Sequence, residues 1–282
     1  MPALPVPERE MSTVPVAVEP IPRGMARNVG RSVTDWIPAL LLLVLALVAW
    51  EKAIDLFHVQ RLLLPKPSAI ADTFWSERSF LWQAGWFTFQ EAFWGFVWGS
   101  LGGMLAALVL SRWRRLGGAL MPYFIAANAV PIIAFAPIAN AWFGIEQGSK
   151  IAIAAVLCFF PVLVNTLRGL TSVNPRAIEL MRSYAAGEFQ IFRRVRIPNS
   201  LPYVFSALKV ASVLAMIGAI VGEYFGGDQR QLGIQIKNSA ALFAFELAWA
   251  AILVACLLGI GFYLAVVLGE KLVMRWHPSG DQ

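Results

Sequence analysis

Six long apolar segments divide this chain of 282 residues, and each is long enough for a helix that crosses a lipid bilayer. A transmembrane helix needs about 20 mainly apolar residues, because the hydrocarbon core is about 30 Å thick. The segments cover approximately residues 36–54, 87–110, 120–143, 151–170, 203–225 and 245–268. Pro131 and Pro137 lie in the third, which we therefore expect to be kinked or broken. The expected fold is an all-α integral membrane protein with about six transmembrane helices.

The composition agrees with a protein whose surface faces a lipid bilayer. Hydrophobic residues make up 58% of the chain and charged residues only 14%, whereas a soluble domain carries about 25% charged residues. The formal net charge of +6 does not indicate a nucleic-acid partner, because the Arg residues lie between the apolar segments. In a membrane protein such residues collect in cytoplasmic loops.

The basic residues also predict the orientation and the domain boundaries. They are more frequent in the segments that share a side with the N-terminus, so both termini are expected in the cytoplasm. Residues 1–22 are rich in Pro, Val and Glu, and residues 1–35 are predicted to be a disordered cytoplasmic tail. Residues 36–275 form the expected transmembrane domain, and residues 276–282 the cytoplasmic C-terminal tail.

The connection between the fourth and fifth spans, residues 174–199, is unusually long for a passive loop. Asn174 and Pro175 are typical of a helix cap and a first helical residue. Gly187 is predicted to end that helix, and Phe189–Val195 to form a second helix that ends at Pro198. The segment is therefore expected to be a cytoplasmic hairpin of two short helices.

Several side chains of the second predicted helix are too apolar for an uncovered aqueous loop. Phe189, Ile191, Phe192 and Val195 should be covered by something. Two interpretations remain open from these residues: the hairpin packs under its own helix bundle, or it is a docking surface for a separate cytoplasmic protein.

This hairpin resembles the EAA loop of the permease subunits of binding-protein-dependent ABC importers. That loop carries Glu-Ala-Ala, a later Gly and a terminal Ile-x-Leu-Pro. Glu179 takes the place of its Glu and Pro198 that of its final Pro at the same spacing, and Val195 and Ile197 occupy the two aliphatic places. Exporters lack this loop, so the resemblance implies import.

The sequence departs from the motif at three positions. Leu180 and Met181 replace the two alanines, and Ala185 replaces the glycine of the turn. Gly187 is expected to supply the turn slightly later. In that family the loop fits a groove of an ATPase subunit, which implies the following ATPase-coupling residues here: Glu179, Arg182, Ser183, Ala185, Gly187, Phe189, Phe192, Arg193 and Pro198.

Two further segments resemble the sulfonate, nitrate and taurine group of these permeases, which includes permeases for riboflavin and for pyrimidine precursors of thiamine. They are Leu62–Ile70 (LLLPKPSAI) and Leu201–Gly227. The resemblance implies a bacterial inner-membrane protein that pairs with a second copy of itself. It also implies two ATPase subunits that bind ATP and Mg²⁺, and an external or periplasmic solute-binding protein.

Polar and aromatic residues within the spans are candidates for a translocation pathway, although helix packing explains them equally well. Glu223, for example, either lines the pathway or pairs with Arg230 or Lys237 at the interface. The candidates are Asn128, Phe135, Asn140, Phe159, Phe160, Asn165, Glu223 and Tyr224. The aromatic and amide side chains, with no Lys or Arg predicted at the bilayer midplane, suit a heteroaromatic or neutral solute better than an anion. Among the solutes that the resemblance implies, this favours a vitamin or vitamin precursor, riboflavin or a thiamine pyrimidine precursor, over a sulfonate, taurine or nitrate.

The chain lacks the motifs of the common enzyme classes. It has no G-x-x-x-x-G-K-[ST] phosphate loop and no H-E-x-x-H metal motif. We therefore expect no catalytic residues, no bound metal and no cofactor in this chain. An ion-coupled secondary transporter and a non-transporting membrane scaffold are the alternatives from other classes.

Overall fold

The structure is a computed structural model that describes residues 31–58, 64–127 and 131–274. All regular structure in these ranges is helical. The elements are α1 (Arg31–Leu56), α2 (Pro67–Ser76), α3 (Arg78–Arg112), α4 (Arg114–Ala127), α5 (Ile132–Phe143), α6 (Gln147–Thr171), α7 (Pro175–Ser183), α8 (Glu188–Ile191), a π-helical turn (Phe192–Arg196), α9 (Ile197–Gly226), α10 (Leu232–Ala241) and α11 (Phe245–Val273).

The predicted fold class is confirmed. Five helices are long and apolar enough to cross a membrane, and the bent pair α4–α5 makes a sixth candidate within the described residues. The two helices of that pair meet at 94°, which agrees with the expected break in the third span. Pro131 precedes the first residue of α5, where its missing N–H costs no helical hydrogen bond.

Contact clustering divides the chain into two compact units, residues 1–49 and 50–282. In the first unit the structure describes the N-terminal part of α1, and α1 begins at Arg31, inside the predicted tail. Residues 1–30 and 275–282, which include the rest of that tail and the predicted C-terminal tail, lie outside the described residues. The second unit contains all the remaining helices.

The core of the second unit is formed by α3, α6 and α9. Small residues recur at every fourth position of α3, at Gly95, Gly99 and Gly103, and face α6. A Cβ atom at Gly103 would lie only 2.6 Å from the carbonyl oxygen of Phe159. The missing side chains therefore allow the backbones of the two spans to approach closely, as small residues do in membrane helix pairs.

Two short helices, α2 and α10, were not predicted from the apolar segments. The carboxylate of Glu51 accepts hydrogen bonds from the backbone N of Ser68 at 3.1 Å and from its Oγ at 2.7 Å, and so caps the first turn of α2. Helix α10 packs against α9 and α11, with Leu232 fully buried. Helix α2 packs against α11 and α3, so both short helices pack on longer spans.

Candidate functional site

The predicted hairpin between the fourth and fifth spans is present, and its first helix begins where the sequence indicated. The side chain of Asn174 accepts a hydrogen bond from the backbone N of Arg176 at 3.0 Å, and Pro175 occupies the first turn of α7. We call residues 174–199 the α7–α8 hairpin. Its two arms, α7 and α8, are joined by a tight turn.

The turn is formed by Ala185 and not by Gly187, which corrects the expectation from the sequence. Ala185 has φ 55°, in the left-handed region, whereas Gly187 has φ −69° and only precedes α8. The backbone N of Ala186 donates to Met181 O at 3.0 Å and that of Ala185 to Arg182 O at 2.9 Å. These two bonds are those of a Schellman motif, which places its left-handed residue at Ala185.

Replacing Ala185 by Gly is expected to stabilise the turn by about 1 kcal/mol, because the left-handed conformation costs an L-residue about 1–2 kcal/mol that glycine does not lose. Hydrogen exchange of the Ala186 amide should then slow by roughly fivefold. The matched control is Ala186→Gly, which removes a side chain where φ is not positive and should not slow exchange. Unchanged or faster exchange in Ala185→Gly would contradict this account of the turn.

The second helix of the hairpin does not end at Pro198, as the sequence analysis predicted. It runs without a break from Glu188 through the π-helical turn and α9 to Gly226. The backbone N of Ile197 bonds to Phe192 O, five residues earlier, and Pro198 follows this shift in the hydrogen-bond register. The helix therefore tolerates a residue without an N–H at this point. As a result, the hairpin is continuous with the central span α9.

Three large apolar side chains of the hairpin are uncovered. Leu180 is 58% exposed, Tyr184 77% and Phe189 74%, and α7 has no buried residue. Ile191 is fully buried and attaches the hairpin to the bundle. Of the apolar residues of the second helix, Phe192 and Val195 are half-buried beside Ile191, whereas Phe189 stays uncovered, so both interpretations remain open.

The predicted coupling residues all lie on this hairpin. Arg182 forms an ion pair of 2.8 Å with Glu188 across the turn. Phe192 is half-buried, and the other eight are exposed, namely Glu179, Arg182, Ser183, Ala185, Gly187, Phe189, Arg193 and Pro198.

A cavity of about 670 Å³ separates part of the hairpin from the spans. Its walls come from the last turns of α3 and α6 and from both arms of the hairpin, including Arg112, Leu170, Ile178 and Phe192. Next to it, Asn199 Nδ2 donates to Gly169 O at 2.8 Å and joins α9 to α6. The hairpin is thus fixed at its α9 end, whereas α7 is only loosely packed.

The predicted pathway residues do not form one exposed surface. Phe159 packs against Gly102 of α3 and edge-on against Phe160, at 5.1 Å between ring centroids. Asn165 Nδ2 donates to Pro161 O in its own helix at 2.8 Å. Asn128 lies outside the described residues. For these positions the structure shows packing roles, and their role in transport stays a prediction.

The remaining pathway candidates lie on α5 and α9. Phe135 packs edge-on against Trp142, and the buried amide of Asn140 has no hydrogen-bond partner among the described residues. Tyr224 is exposed beneath the ammonium group of Lys237. Glu223 is fully buried, and its Oε2 accepts from the backbone N of Gly233 at 2.6 Å. No ion pair of Glu223 with Arg230 or Lys237 is present in the described part of the chain.

The sequence analysis missed a buried polar cluster around Glu223, formed by Thr88, Glu91, Lys150 and Gln231. The available signal was that Glu91 and Lys150 are charged residues in or beside apolar segments, where ionisable groups are costly. It also missed the ion pair between Lys209 Nζ and Glu270 Oε2 at 3.0 Å, which joins α9 and α11.

A bundle of membrane-length helices with an exposed hairpin at one end is the architecture expected for the transmembrane subunit of a transporter. The comparison with known families agrees. Residues 99–275 match the family described as binding-protein-dependent transport system inner membrane component. The chain therefore belongs to this family of ABC importer permeases and is a multi-pass membrane protein, not an enzyme.

Curated relatives include permeases for several solutes. The chain is 33% identical to the riboflavin transport system permease protein of Chloroflexus aurantiacus, over 95% of this chain and 99% of that one. It is 35% identical to the formylaminopyrimidine transport permease protein of Halalkalibacterium halodurans, over 63% and 70%. It is 29% identical to the putative aliphatic sulfonates transport permease protein of Escherichia coli K12, over 82% and 88%.

A solved structure shares the fold. The crystal structure of an amino acid ABC transporter with histidines superposes with a TM-score of 0.56 at 18% sequence identity. The match covers 70% of this chain and 95% of that one. It supports the helical arrangement alone.

Proposed function

We propose that this permease works as a homodimer that imports a vitamin or vitamin precursor, with each α7–α8 hairpin docked on a cytoplasmic ATPase subunit. The observation that carries the proposal is the exposed apolar ridge of Leu180, Tyr184 and Phe189 on a hairpin that is continuous with α9. A separate solute-binding protein delivers the solute from outside. The protein resides in the bacterial inner membrane with both termini in the cytoplasm.

The chain's own residues support a separate ATPase. The sequence has no phosphate loop, so ATP and Mg²⁺ bind on the partner subunit. On the hairpin, the apolar ridge supplies buried contact area, whereas Glu179 and the Arg182–Glu188 pair supply charges that orient the partner. Because α8, the π-helical turn and α9 form one helix, a displacement of the hairpin moves the central span.

An exposed stripe on α9 supports pairing of two copies. Val210, Val213, Ile217 and Tyr224 recur at helical spacing and are exposed. A single chain with six spans has little interior in which to enclose a solute, and a two-fold pair doubles the number of helices around the pathway. ATP-driven closure of the partners would bring the two hairpins together and switch the pathway from inward-open to outward-open.

A neutral or heteroaromatic solute fits the charge distribution better than an anion. Lys150 and Lys209 lie within described spans, and both are engaged, by carbonyl oxygens and by Glu270 respectively. Neither is free to bind a sulfonate or nitrate group. The similarity to riboflavin and formylaminopyrimidine permeases supports the same class of solute. The second candidate is a sulfonate, because a sulfonate permease matches over most of the chain.

Reconstitution in liposomes with the partner ATPase and binding protein tests the proposal. We expect uptake of labelled riboflavin or formylaminopyrimidine that requires ATP and is not reduced by excess taurine or alkanesulfonate. Uptake of the sulfonate alone would establish the second candidate. Uptake driven by a proton gradient without ATP would contradict the importer mechanism, and the absence of uptake for any solute would favour a scaffold.

A further inference from the structure

Three ionisable side chains are fully buried at the end of the bundle opposite the α7–α8 hairpin. They are Glu91 of α3, Lys150 in the first turn of α6 and Glu223 in the last turn of α9. Since α6 and α9 are antiparallel and the hairpin connects their other ends, this cluster and the hairpin lie at opposite ends of the same helices. Buried charges at such a depth require compensation.

Lys150 is surrounded by hydrogen-bond acceptors in this site. Its Nζ contacts three acceptors: the carbonyl oxygens of Ile145 and Gly226, and Ser149 Oγ at 3.2 Å. An ammonium group has three N–H donors and no lone pair. Three acceptors around one nitrogen are therefore the arrangement that a protonated lysine requires.

The two carboxyl groups are each held by one donor from the beginning of α10. Gln231 Nε2 donates to Glu91 Oε1 at 2.5 Å, and the backbone N of Gly233 donates to Glu223 Oε2 at 2.6 Å. Between them, the backbone N of Leu232 donates to Thr88 Oγ1 at 3.1 Å. Three consecutive residues thus tie the start of α10 to α3 and α9.

The second oxygen of each carboxyl group has no donor among the described residues. Glu91 Oε2 and Glu223 Oε1 are both buried without a hydrogen-bond partner, and the two side chains are neighbours, since the donors to their other oxygens, Gln231 and Gly233, are only two residues apart. Two ionised carboxylates at such a distance repel each other strongly, and a single proton between them removes the repulsion and satisfies both oxygens.

The net charge of the cluster also indicates a single proton. With both carboxylates ionised, the two glutamates and Lys150 carry a net charge of −1 in a site closed to water, and one proton makes the cluster neutral. Glu146 directly precedes α6, and its carboxylate attracts the Lys150 ammonium group electrostatically. Helix α5 has no charged residue, α11 begins with the half-buried Glu246, and Lys237 of α10 is exposed over the Tyr224 ring.

We propose that Glu91 and Glu223 hold one proton between them at neutral pH, and that this shared proton keeps α10 attached to α3 and α9. Loss of the proton places a second negative charge beside the first, and the repulsion drives apart the two carboxylates to which Gln231 and Gly233 are bonded. The cluster is a proton-binding site whose occupancy sets how firmly the helix between α9 and α11 is held. This proton-binding site requires neither a particular solute nor the ATPase.

Infrared spectroscopy of the purified full-length protein tests the proposal directly. We expect the wild type at neutral pH to show the C=O stretching band of a protonated carboxylic acid, which shifts in deuterated buffer. Glu91→Gln and Glu223→Gln should each abolish this band, because the remaining carboxylate accepts from the new amide. Glu246→Gln, which changes a half-buried glutamate outside the cluster, is the matched control and should retain it.

Thermal unfolding gives a second, independent readout. The native state holds a proton that the unfolded chain releases at neutral pH, so the Tm of the wild type should fall as the pH rises from about 6 to about 9. The fall should be clearly smaller in Glu91→Gln and Glu223→Gln and unchanged in Glu246→Gln. A wild type without the carboxylic acid band overturns the proposal, even if a variant fails to fold. So does a band or a pH slope that both single variants retain.

Discussion

Replacing Phe189 by Asp is expected to lower ATP-driven uptake at least tenfold while the permease itself stays folded. Phe189 is 74% exposed, so the chain's own packing loses little when its ring is removed. At the interface with an ATPase subunit the same ring would be a buried aromatic contact, and loss of such a contact costs about 2 kcal/mol or more. That cost corresponds to roughly a thirtyfold weaker association.

Two measurements separate loss of docking from loss of folding. The Tm of the isolated permease should differ from that of the wild type by no more than about 2 °C, because surface substitutions change stability little, whereas ATPase copurification and uptake should both fall. Gln190→Asp is the matched control, since Gln190 is the neighbouring exposed residue of α8 and is already polar. Normal uptake by Phe189→Asp would show that the ridge is not a docking surface.

Replacing Gly99 by Val is expected to prevent normal packing of the bundle. A Cβ atom at this position would collide with the carbonyl oxygen of Ala155 and lie 2.8 Å from Cys158 Cβ. Backbone atoms of a packed span cannot move aside as a flexible side chain can. Overpacking of this kind costs about 3 kcal/mol or more, so little folded protein should be recovered.

The yield of monodisperse protein in size-exclusion chromatography, together with the Tm of any folded fraction, measures this effect. The same substitution at Gly261 is the control, because a Cβ atom there meets nothing within 4 Å. Gly261→Val should fold as the wild type does. If the two variants gave equal yields, the close approach of α3 and α6 would not be a determinant of the fold.

The spans were predictable because their signal is local. Each apolar segment of about 20 residues indicates a membrane helix without any knowledge of its neighbours. The starts of α5 and α7 were also predictable, because a proline fits at or just before the first residue of a helix, as at Pro131 and Pro175. Helices α2 and α10 were missed because ten residues are too few to cross a bilayer. They form only because the longer helices provide surfaces against which they pack.

The presence and position of the hairpin were predicted, but the position of its turn and the end of its second helix were not. The glycine at position 187 indicated a turn, but the hydrogen bonds at the end of α7 placed the left-handed residue at Ala185. Pro198 indicated a helix end, but the π-helical turn before it allows the helix to continue. Both errors came from assigning a local preference to a residue whose neighbours determine its conformation.

The buried cluster could not be assembled from sequence alone. Gln231 and Glu91 are 140 residues apart, and Leu232 and Thr88 are 144 apart. Charged residues near span ends are usually at the bilayer interface, which was one of the two expectations for Glu223, the other being the pathway. Only the packing of α3, α6, α9 and α10 shows that these side chains meet in a site closed to water.

Photo-crosslinking from position 189 tests the central claim most directly. With a photoreactive benzoylphenylalanine in place of Phe189, irradiation of membranes that contain the assembled complex should join the permease to a nucleotide-binding subunit that an ATP analogue also labels. A crosslink to lipid or to the external binding protein instead would contradict the claim. So would modification of this hairpin by a membrane-impermeant reagent added from outside, since no ATPase could then reach it.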